Sequence, residues 1–186
     1  STPHISVASF SEAIKARCIT INALSKAYAM TGWRIGYAAG PRDVIKAISA
    51  IQGHTTSNAT SFVQWASVTA LDECDDYVET MRQAFEARRD YLYERVSKLP
   101  GFRCPFPDGA FYLFPDVSDL FGRKTKSRTI DGAPALAEYL LEEAGVALVP
   151  GNAFEAPRAI RMTYSNSMEN LVDAMDRIER AILQLT

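Results

Sequence analysis

"INALSKAYAMTGWRIGYAAG" (21–40) sets one lysine, Lys26, and one arginine, Arg34, among small and apolar residues. An apolar setting strips water from an ammonium group and favours its neutral form. A neutral amine can attack a carbonyl carbon and form an imine, so a desolvated lysine suits Schiff-base chemistry. An aldehyde carrying a phosphate would then need a permanent cation within reach, and Arg34 offers the oxygens a two-pronged fork. Ser25 adds a hydroxyl donor, while Gly32 and Gly36 leave room for close backbone approach. On these residues alone a second reading stands beside the first, in which both cations merely snorkel from a turn into water.

Working outward, "RCITIN" (17–22) and "RIGYAAG" (34–40) read as strands, the second closed by Gly40-Pro41. Pro41 opens a helix whose Val44, Ile45, Ile48 and Ile51 share one face. "GHTTSNATS" (53–61) reads as a polar loop, with Thr60 or Ser61 as cap of the helix that follows. From Asp75 to Leu99 the apolar set Val78, Met81, Phe85, Leu92, Val96 and Leu99 keeps helical spacing, until Pro100-Gly101 stops it. "GAFYLF" (109–114), "VALVP" (146–150) and "AIRMTY" (159–164) read as strands. A helix over 134–145 turns Leu136, Leu140 and Leu141 inward, with Gly145 as its C-cap. The last helix begins near Ser167 and carries Leu171, Val172, Met175, Ile178, Ile182 and Leu185 on one face. The mixed order predicts an α/β or α+β arrangement. The opening "STPHISVASFSE" (1–12) is loop-like and reads as an interior stretch of something longer.

Composition narrows the possibilities. Of 186 residues, 47% are hydrophobic and 23% charged, an ordinary globular balance. A net charge of -2 argues against nucleic acid as partner, since phosphate contacts call for a basic surplus. No apolar run approaches a membrane span, and the first residues do not read as a signal peptide, so a cytoplasmic protein is expected. Cys18, Cys74 and Cys104 are scattered and, with two histidines, make a poor zinc set; they are expected to be idle thiols, and no metal is expected. The basic run "GRKTKSR" (122–128) has neither P-loop glycines nor interleaved aromatics and reads as a solvated loop.

Ser25, Lys26, Ala29, Met30, Gly32, Arg34, Ile35 and Gly36 together resemble the pyridoxal-phosphate attachment signature of class I and II aminotransferases, the bacterial aspartate aminotransferase subgroup in particular. "DGAFYLF", "GVALVPGNAF" and "AIRMTYSNSMENL" follow in the order of that family's C-terminal half. One departure is Ala23, where the family often has a serine or glycine.

The resemblance implies an α/β fold: residues 1–73 as the end of the large cofactor-binding domain, 74–99 as a connecting helix and 100–186 as a small α+β domain. It implies that Lys26 carries pyridoxal 5'-phosphate as a Schiff base and then moves the substrate proton, and that Arg34, helped by Ser25, holds the phosphate. Arg161 would grip the substrate α-carboxylate; Tyr28 either lines the pocket or packs, and Phe154 borders the substrate. Partners would be an amino acid, aspartate above all, and a 2-oxo acid such as 2-oxoglutarate, within a homodimer. A lyase of the same fold would share the lysine and both arginines. The family's N-terminal half supplies the ring-stacking aromatic and the aspartate on the pyridine nitrogen, so this chain by itself is expected to be incompetent.

Overall fold

The computed structural model describes residues 3–125 and 128–186. The chain is an α/β arrangement of two compact units, Ser1–Met81 and Arg82–Thr186.

In the first unit, β-branched Thr20 and Ile21 lead strand β1 (Thr20–Ala23), which pairs antiparallel with β2 (Gly36–Ala39). The register runs from Thr20 opposite Ala39 to Ala23 opposite Gly36. A side chain at Gly36 would sit 2.8 Å from the Asn22 carbonyl, so this glycine serves strand pairing. A short helix α1 (Glu12–Lys15) precedes β1, its Ile14 amide bonded to the Ser11 hydroxyl.

Helices α2 (Arg42–Thr55) and α3 (Ser61–Glu73) follow β2. α2 runs through residues 53–55, which the sequence assigned to the loop. There Thr55 Oγ1 donates to the Ile51 carbonyl (3.1 Å) and Gln52 Nε2 to Thr56 Oγ1 (2.9 Å), satisfying groups at the helix end. Buried apolar side chains here are few: Leu24, Met30 and Ala70 form one cluster, flanked by Tyr28, Ile35 and Ala66. The shared face of α2 is present, yet Val44, Ile48 and Ile51 all lie exposed.

Helix α4 (Asp75–Ser97) carries the chain into the second unit, where Leu92 and Val96 enter a large core. Strands β3 (Tyr112–Leu113), β4 (Val149–Pro150) and β5 (Ile160–Thr163) form an antiparallel sheet in the order β3-β5-β4. β3 is shorter than the expected 109–114, because Ala110 turns to a left-handed φ of 63° and interrupts extended pairing. The buried Tyr164 ring holds that turn through its hydroxyl, which donates to the Ala110 carbonyl at 2.9 Å.

Helices α5 (Ala133–Ala144) and α6 (Met168–Ile182) supply Leu136, Leu140, Met175, Ile178 and Ile182 to the same core. Each such side chain contributes about 1.5–3 kcal/mol on burial. The Tyr139 hydroxyl crosses to the Ala181 carbonyl (2.8 Å), and Arg95 ties α4 to Asp176 and Glu179 of α6. Leu141 and Val172 face solvent instead of the core, each one position round its helix from a buried neighbour, Leu140 or Leu171. Among the described residues, no helix is long and apolar enough to cross a membrane.

Candidate functional site

The connection 24–35, between β1 and β2, carries Ser25, Lys26 and Arg34. Its two ends differ in which way they face. Leu24 and Met30 turn into the small cluster, which leaves Lys26 exposed and Ser25 half-buried. The apolar burial expected around Lys26 is therefore not found within this unit, where Lys26 lies exposed beside the Leu24–Met30–Ala70 cluster.

Two non-glycine residues of this connection, Ala29 (φ 53°) and Arg34 (φ 55°, ψ 51°), take left-handed backbone. Such a conformation costs about 1–2 kcal/mol for an L-residue and gathers at functional loops. Arg34 is exposed, and its Nη1 donates to the Thr31 carbonyl at 2.9 Å, locking the guanidinium across the turn Thr31–Trp33. Arg34 also lines a depression of about 880 Å³, together with Gly36, Asn58, Thr60 and Phe62. Lys26 and Ser25 are not among its lining residues.

A phosphate-bearing aldehyde fits this donor set. An accessible amine, a hydroxyl and a pinned guanidinium share one connection, and Gly32 has nothing within 4 Å of where a Cβ would stand. Tyr28 packs on the Leu24–Met30–Ala70 cluster, and desolvation, with the Asp75 carboxylate next, raises its phenol above the ordinary range.

Arg161 belongs to the second unit, on the central strand β5. Ile160 and Met162 point into the core, so alternation sends Arg161 to the opposite face of the sheet. There its guanidinium carbon lies over two rings, 4.5 Å from the Tyr112 centroid and 4.6 Å from that of Phe154. Phe114 meets Phe154 edge-on at 5.9 Å. Gly151 makes the Phe154 turn possible, since a Cβ there would stand 2.1 Å from the Ala156 carbonyl. Among the described residues, no carboxylate pairs with Arg161, whereas Arg95, Arg103, Arg128, Arg158 and Arg177 each have one.

Tyr112 was not singled out from sequence. Its place depends on register: Tyr112 lies opposite Thr163, diagonal to Arg161 on the same face. Elsewhere in this unit, Asp116 accepts from the Ser118 hydroxyl and amide and pairs with Arg158 and Arg103, which holds its carboxyl below the usual range. Burial pushes the Cys104 thiol up. Of the basic run 122–128, residues 126 and 127 lie outside the described residues, and Arg128 pairs with Glu138 and Glu142 of α5.

A model of the family "Aminotransferase class I and II" matches residues 2–178, and the chain belongs to that family. The aspartate aminotransferase of Geobacillus stearothermophilus is 47% identical over 177 residues, covering 95% of this chain and 44% of that protein. The solved aspartate aminotransferase of Rhizobium meliloti superposes with a TM-score of 0.93 at 40% identity, over 98% of this chain and 46% of that one. That of Thermus thermophilus with maleate gives 0.81 at 39% identity, over 90% and 42%. The fold is thus the α/β fold of these aminotransferases, and the chain spans about half the length of the curated relatives it matches.

Proposed function

We propose that this chain is the lysine-bearing part of an aminotransferase that uses pyridoxal 5'-phosphate and moves an amino group between aspartate and a 2-oxo acid such as 2-oxoglutarate. In this reading residues 1–73 end the large domain, 74–99 connect, and 100–186 form the small domain of a cytoplasmic homodimer. The observation that carries it is the connection 24–35, where an accessible Lys26 and a pinned Arg34 share a loop with two left-handed non-glycine residues. The substrate assignment leans on the aspartate aminotransferases among the relatives.

Lys26 would attach the cofactor, and Arg34 with Ser25 would hold its phosphate, the guanidinium matching two oxygens at once. The bound cofactor supplies an electron sink for negative charge at the amino acid's α-carbon. Arg161 receives the substrate's α-carboxylate through its unpaired N–H edge. Lys26 Nζ would take the proton from the substrate's α-carbon and deliver it to the carbon that was the cofactor's aldehyde.

In the whole protein, Lys26→Ala is expected to abolish transamination of aspartate with 2-oxoglutarate while the circular dichroism spectrum stays that of the parent. Near-normal turnover by that variant would remove Lys26 from the chemistry.

A further inference from the structure

Arg161 is the one arginine whose guanidinium meets two aromatic rings at 4.5–4.6 Å among the described residues. A free arginine side chain loses rotamer freedom when a ligand fixes it. A side chain already fixed spares the ligand part of that cost. We propose that Tyr112 and Phe154 are positioning residues that hold the Arg161 guanidinium against their ring faces, so that its N–H edge stays open to a planar carboxylate. This deepens the carboxylate-binding role given to Arg161 above and rests on it.

Three features of the structure support the assignment. The sheet register sets Tyr112 diagonal to Arg161, so the ring comes from a strand and not from a loose loop. Phe154 reaches the guanidinium from the turn Gly151–Phe154, a turn that only glycine at 151 allows, and Phe114 braces it from the edge. A ring face attracts the cation but cannot satisfy in-plane N–H donors, and among the described residues no carboxylate takes them. The donors are therefore left for a ligand while the plane is held.

The test uses the 186-residue chain, nitrogen NMR of the arginine Nε–H groups, and maleate as probe. The parent is expected to show a separate Arg161 signal, displaced by ring currents and moved further by maleate. Tyr112→Leu and Phe154→Leu should each return that signal towards those of mobile arginines and weaken maleate about fivefold. Tyr112→Phe, which keeps the ring, should retain both. Maleate binding that is lost in Arg161→Ala but unchanged in both leucine variants, with the signal unmoved, overturns the positioning role. Maleate that leaves the parent's Arg161 signal in place, or binds equally to Arg161→Ala, contradicts the carboxylate reading instead, and the leucine variants' signal then decides the positioning alone. Should Tyr112→Leu disturb the core amides, Phe154→Leu decides, because Phe154 is 46% exposed and lies outside the core.

Discussion

The second unit turns its apolar side chains inward, while the first turns many of them outward. From Leu92 to Leu185 one continuous core gathers side chains from α4, α5, α6 and the strands β3 and β5. In the first unit the buried apolar residues are Leu24, Met30, Val63 and Ala70, while Trp65, Phe62 and Ile51 stand 73%, 68% and 65% exposed. Composition does not explain this, because both units are rich in apolar residues at helical spacing. A helical stripe stabilises a fold only when another element covers it. α5 and α6 cover each other, as the Tyr139–Ala181 bond records, whereas the stripes of α2 and α3 stay largely open. The catalytic lysine of the proposed function stands in the unit with the open surface.

Substitution can break this contrast. Leu136→Ala removes a side chain with no exposure from the second core and should cost about 2–5 kcal/mol, read from denaturant unfolding followed by α5 and α6 amide exchange. A loss under about 1 kcal/mol would mean that the second core is less sealed than its geometry shows.

An intermediate effect is expected at Asp116. Its hydrogen bonds from Ser118, and then the charges of Arg158 and Arg103, depress its folded pKa below the unfolded value of about 3.9. The stabilisation is therefore complete above that value and disappears as pH falls through the lower, folded one. Asp116→Asn should cost about 1–2 kcal/mol at neutral pH and flatten the acid limb of the second unit's stability profile. An unchanged acid limb would locate the acid sensitivity elsewhere.

The smallest effect belongs to the first unit. Trp65→Ser should change stability by no more than about 0.5 kcal/mol, while lowering binding of an apolar dye. A loss of several kcal/mol would show that the exposed stripe of α3 is covered in solution.

Much of this was legible in the residues themselves. The signature around Lys26 and Arg34, with the later motifs, resembled the family that the comparisons then showed. Helices α4, α5 and α6 followed from spacing, and α6 begins beside Ser167, where a helix start was expected; the Ser167 hydroxyl caps it, accepting from the Asn170 amide at 3.2 Å. What spacing could not tell was which apolar neighbours cover which group. The apolar letters around Lys26 suggested burial, yet Leu24 and Met30 pack with Ala70 while Lys26 lies exposed. Leu141 fitted a helical stripe loosely and lost its place to smaller residues, Ala137 and Ala144, that let α5 pack closely. The Tyr112–Arg161–Phe154 contact joins residues far apart in sequence through a strand register and a turn, neither of which a single sequence encodes visibly.

The most direct measurement is borohydride trapping of the whole protein with pyridoxal 5'-phosphate, followed by peptide mass mapping. Selective reduction onto Lys26, ahead of Lys15, Lys46, Lys98, Lys124 and Lys126, is the predicted result. Labelling shared among the lysines in proportion to their exposure, with no preference for Lys26, would contradict the assignment of this loop as the cofactor's anchor.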